Sequence, residues 1–172
     1  MKQCLFLILV SLCVITCSPR ETLFDVNSRM DFRIDLGLST LEAHSFIKSQ
    51  IPIPLQFALN NNGLTDADLD QVVAQRAFLR PKFGDEINLD FVNTVKVSIV
   101  DPVTLRPKEI FFMDFVNFGF KTEIELMPSL TDIKDIVIND NATIEVKLQF
   151  RQFPPQTFEM DLDMTFGAFA IE

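Results

Sequence analysis

A serine or threonine nucleophile working with a histidine base would have to use His44, in EAHSFIK, because the 172-residue chain has no other histidine. A single histidine on a strand-like stretch reads as a surface or packing residue, so catalysis there is not expected. Zinc needs clustered Cys and His, and the three cysteines Cys4, Cys13 and Cys17 all fall in one apolar stretch at the start of the chain. Glu159, Asp161 and Asp163 alternate along TFEMDLDMTF, about 7 Å apart in succession on one strand face. They read as a solvated charged face that discourages edge pairing, with a cation site or acid–base pair as the alternative. NNNGLTDADLD is rich in oxygen ligands, but placing Gly63 at the sixth position of a calcium loop puts Ala58 first and Leu69 twelfth. Starting at Asp66 puts Gln71 where the glycine belongs. The stretch Asn60–Asp70 is therefore expected as a turn into a capped helix, with weak calcium binding left open. No metal, cofactor or enzyme activity is expected.

Phenylalanine is the unusual residue. FFMDFVNFGF places Phe111, Phe112, Phe115, Phe118 and Phe120 within ten residues, while Trp and Tyr are absent from the chain. Glycan platforms use aromatics with a polar edge, so carbohydrate binding is disfavoured. The expected role is a central strand buried on both faces. The alternatives are an apolar pocket for a lipid tail and an exposed patch for a partner.

The elements that would position these residues show mostly a period of two. Met30, Phe32, Ile34, Leu36 and Leu38 alternate with Asp31, Arg33 and Asp35. The same pattern recurs at Ile87–Ile99, as one strand or two broken near Asn93, at Ile144–Phe150 and at Phe158–Phe166, with EIFFMDF, FKTEIELM and DIKDIVIN between them. TDADLDQVVAQRAF differs, since Leu69, Val72, Val73 and Ala77 have helical spacing. Thr65 would cap this helix, with Asp66 and Asp68 complementing its dipole. Pro52 and Pro54 mark SQIPIPLQF as an edge or linking segment. The expected fold is mainly β, an antiparallel β-sandwich with one short helix, with a closed β-barrel as the alternative.

The first residues supply an address. Lys2 precedes an apolar run from Leu5 to Ile15 that has signal-peptide length and is too short to span a bilayer. Val14-Ile15-Thr16-Cys17 resembles the lipobox of bacterial lipoproteins, in which the cysteine sulfur takes a diacylglycerol, the chain is cut before it and the new amino group is acylated. No cysteine follows Cys17, which leaves it without a disulfide partner in the mature chain. The resemblance implies a signal peptide over 1–16, a lipid-anchored tether over 17–28 and a β-sandwich domain over 29–172. Small lipid-attached sandwiches of this kind resemble uncharacterised lipoproteins of the Bacteroidetes type. In strand-rich order alone the chain is similar to the late-embryogenesis-abundant type of sandwich.

The formal net charge of −9 repels phosphate backbones and excludes nucleic acid as a partner. It also disfavours electrostatic adhesion to anionic lipid, which makes a covalent anchor the sensible attachment. The expected function is a lipid-anchored envelope protein with a non-catalytic binding or structural role. Its partners would be the membrane, through Cys17, and another envelope protein. Ser18 after the cysteine favours the outer membrane under the rule that aspartate there retains lipoproteins inside. The alternative functions are a carrier of an apolar ligand and, third, a hydrolase.

Overall fold

The structure is a computed structural model describing residues 22–83 and 87–171. The stretch 1–16 expected as a signal peptide, Cys17 and Ser18 lie outside the described residues. Eight strands run in chain order as β1 (Phe24–Ile34), β2 (Ala43–Pro52), β3 (Leu69–Pro81), β4 (Val92–Val100), β5 (Pro107–Met113), β6 (Ile124–Pro128), β7 (Asn141–Phe150) and β8 (Phe158–Ala170). They form one antiparallel sheet in the order β1-β8-β3-β6-β5-β4-β7-β2 that nearly closes on itself. The fold is thus mainly β, and its two layers are halves of a single sheet. The short strand β6 forms the corner, with three pairs to β3 and two to β5. Across the interior, Phe111 of β5 meets Phe166 of β8 with ring centroids 5.8 Å apart.

The outer edges of the sheet, β1 and β2, meet without a backbone ladder among the described residues, and side chains close the seam. Phe32 lies on Phe46 at 4.8 Å, Lys48 Nζ bonds Asp31 at 2.8 Å, and the Ser28 hydroxyl donates to the Pro52 carbonyl at 2.8 Å. The Lys48 ammonium holds the Asp31 carboxyl below its ordinary value of 3.8. A lowered folded-state pKa stabilises the fold above the unfolded value, and that contribution disappears as pH falls through the folded value. Both side chains are half exposed, so the effect is at most about 1 kcal/mol. Replacing Lys48 with methionine should flatten the acid limb of a plot of melting temperature against pH. An acid limb identical to wild type would refute the latch.

The helix expected over TDADLDQVVAQRAF is a strand. The inward residues of β3 are Leu69, Val72, Ala74, Ala77 and Leu79, all buried. Their spacing of three, two, three and two comes from two bulges. Asp70 is the extra residue between the Leu69–Ala170 and Gln71–Phe169 pairs, and Gln75 between Ala74–Phe166 and Arg76–Thr165. Each bulge shifts the phase by one residue, so a bulged strand imitates helical spacing. The local chemistry at Thr65 is as expected, because its N–H and hydroxyl both reach the Asp68 carboxylate, at 2.7 and 2.8 Å. These bonds hold the Asp68 carboxyl below the usual range. They close only one 3-10 turn, Asp66–Asp68.

Two short helices stand elsewhere, against the one expected. The first, α1 (Leu55–Asn61), buries Leu55 and Leu59 and follows the edge strand that ends at Pro52. The second, α2 (Lys134–Val137), occupies DIKDIVIN, where alternation suggested a strand. Strand β1 begins at Phe24, inside the stretch 17–28 expected as tether, and Val26 and Ser28 are already buried. It ends at Ile34, and Leu36 is exposed. The segment Ile87–Ile99 is split by a 3-10 turn at Leu89–Phe91, after which Asn93 is a bulge residue in β4. Among the described residues no helix is long and apolar enough to cross a membrane.

Candidate functional site

The registers sort the connections onto two ends of the barrel. Phe24 pairs with Ala168 and Leu69 with Ala170, so the start of β1 and the end of β8 share one end. Ile34–Phe158, Pro81–Met160, Val92–Phe150 and Ala43–Gln149 mark the other. That second end carries the connections β1–β2, β3–β4, β5–β6 and β7–β8. Exposed apolar side chains project from all four, including Leu41, Phe83, Phe118 and Phe153.

The five phenylalanines expected in one buried strand go separate ways. Phe111 is fully buried, beside an equally buried Ile110 that forms a bulge against β4. Phe112 is half-buried. Strand β5 ends at Met113, and Phe115, Phe118 and Phe120 are exposed by 51%, 69% and 70%. Burial on both faces is therefore wrong for this run. The chain leaves the sheet at Asp114 and turns through Gly119, whose φ of 123° suits glycine alone.

Arg151, which follows β7, organises this loop. Its Nε and Nη2 donate to the Val92 carbonyl at 3.1 and 2.8 Å, and Nη2 also donates to the Val116 carbonyl. The guanidinium lies 4.9 Å from the Phe115 ring centre and 4.2 Å from that of Phe118. The two rings meet edge to face at 5.9 Å. Such cation–π contacts contribute about 0.5–2 kcal/mol each. Asn88 and Asp90 tie the same loop to the β3–β4 connection by accepting from Lys121 N at 3.0 Å and Gly119 N at 3.2 Å. No sequence pattern singles out Arg151.

Beside this cluster β5 and β6 part to leave a groove of about 540 Å³, bordered by Met113, Phe115, Val116, Lys121 and β6 itself. Of the five phenylalanines only Phe115 lines it. The barrel interior is filled by Phe111, Phe150, Phe166 and Met30.

The remaining candidates do not converge on chemistry. His44 Nε2 donates to the Ser39 carbonyl at 2.8 Å and its ring stacks on Phe150 at 5.5 Å. Asp163 pairs with Arg29 and Arg80, Glu159 with Lys82 at 3.1 Å, and Asp161 is buried with its Oδ1 unbonded. In the asparagine-rich turn, Asp66 accepts from Gln56 at 2.7 Å while Asp68 accepts from the N–H and hydroxyl of Thr65. Among the described residues no three His, Cys, Asp or Glu side chains form a group able to hold a metal.

No protein-family model matches the chain, and no curated protein matches it. Among solved structures the chain is similar to one from the Cocksfoot mottle virus structure, at 9% identity over 92% of this chain and 88% of that one. The TM-score of 0.24 is too low to carry an argument.

Proposed function

We propose that this chain is a bacterial lipoprotein, acylated at Cys17 and held on the outer membrane, whose domain is a non-catalytic binding module. The observation that carries this reading is the polarity of the barrel. Phe24 follows Cys17 by seven residues, an extended reach of at most about 25 Å, so the end where β1 starts and β8 stops would be held near the lipid. Five of the six exposed phenylalanines among the described residues, all but Phe57, lie at the opposite end, up to about 43 Å away along the 13-residue β8. They face outward, where a second envelope protein can be met. Exposed phenylalanines beside an arginine are of the residue types enriched at protein–protein interfaces. The filled interior supports surface binding over storage of a lipid tail. The engagement of His44 by a backbone carbonyl supports a role other than hydrolysis.

Replacing Cys17 with serine should abolish incorporation of labelled fatty acid and release the protein from the membrane fraction. Unchanged labelling in that variant would overturn the anchor.

A further inference from the structure

We infer that the wedge between β5 and β6 takes an extended peptide segment of a partner protein, with alternating aliphatic and basic side chains. This rests on the binding role above and names its occupant.

Strand β6 is paired unequally on its two sides. Toward β3, Ile124, Glu125 and Leu126 pair with Leu79, Phe78 and Ala77. Toward β5, Met127 and Pro128 pair with Phe112 and Phe111. Beyond the Phe112–Met127 rung the strands separate. The chain after β5 stays with β4, as the bond from Val116 N to the Asn93 carbonyl at 2.9 Å shows. Glu123–Leu126 is left facing the groove. Alternate residues of an antiparallel strand direct both backbone groups at the same neighbour. Ser129 N bonds the Ile110 carbonyl and Met127 pairs with Phe112, so by alternation Glu123 and Glu125 direct their N–H and C=O into the groove, where β5 pairs with neither. Another extended backbone satisfies such an edge. The closed rung stops the guest at one end and the four residues 123–126 limit it to about 13 Å, or about four residues.

Side-chain chemistry sets the guest's pattern. Ile124, Leu126 and Val116 are buried and form the floor, so a guest side chain pointing inward meets apolar surface. One pointing outward meets Glu123, Glu125, Lys121 and the Phe115 ring, two carboxylates against one ammonium. Glu123 approaches Arg80 only at 3.8 Å, and Glu125 forms no salt bridge among the described residues. A carboxylate beside an aromatic face selects Lys or Arg, and the chain's net charge of −9 reinforces that sign.

The test uses the full chain purified in detergent and a fluorescein-labelled heptapeptide of alternating lysine and valine. Saturable anisotropy is expected, together with slowed amide exchange confined to Glu123–Leu126. Glu125→Lys, an exposed change, should weaken binding several-fold. A glutamate–valine heptapeptide, or one methylated on every second backbone nitrogen, should not bind. Unchanged exchange at 123–126 under excess lysine–valine peptide overturns the inference, as does equal protection by the glutamate–valine peptide. Concentration-dependent protection without peptide would place a second copy in the groove and also overturn it. Lipidation is read separately. A lipidated chain that ignores the peptide refutes this inference alone, and a binding chain without lipid refutes the anchor alone.

Discussion

Truncating Phe111 to alanine is expected to remove about 3–5 kcal/mol of stability, the usual range for a fully buried phenylalanine. The ring has no solvent exposure, packs against Phe166 and sits where the Ile110 bulge turns two consecutive side chains inward. Little space exists into which neighbours could collapse. Phe118→Ala, seven residues along the same run and 69% exposed, should cost only about 0.5–1 kcal/mol, the size of an exposed cation–π contact with Arg151. Phe112, half-buried on the outward face, should fall between them. Urea unfolding of the three variants checks the order. Similar losses at Phe111 and Phe118 would mean that the whole run is core.

Arg151→Ala should cost about 2–4 kcal/mol, because it strips charged donors from the Val92 and Val116 carbonyls and the cation from two rings. Lysine should not restore it, since an ammonium cannot bond both carbonyls while lying flat against the rings. The loss should show locally before it shows globally. Amide exchange in 113–119 should rise, and the Phe115 and Phe118 ring signals should move toward those of free phenylalanine. Wild-type stability in Arg151→Lys would refute this assignment of the guanidinium.

The strands that pair without bulges were the legible ones. β1 and β8 keep strict alternation over their paired length, and Met30, Phe32 and Ile34 point inward as their spacing requires. Where the register slips the alternation is disguised, and the sequence of β3 has helical spacing because Asp70 and Gln75 each add one residue. The phenylalanine run misled for another reason. Apolar character at both parities is shared by a doubly covered strand and by a loop displaying its side chains. What separates them here is Arg151, thirty-three residues beyond Phe118 in the chain, together with the end of β5 at Met113. Both depend on tertiary contacts that a single sequence does not display. The groove was illegible for the same reason, since it exists only because β6 finds three partners on one side and two on the other.

The pairing of β1 with β8 over eleven successive residues sets how the domain would carry load under the proposed anchoring. Tension between a lipid at the amino terminus and a partner held by the far loops would enter the domain at Phe24 and run parallel to the strands. The eleven rungs would then resist together, in shear, and would not peel one after another as they would if pulled across the sheet. A chain tethered this way transmits force along its strongest direction.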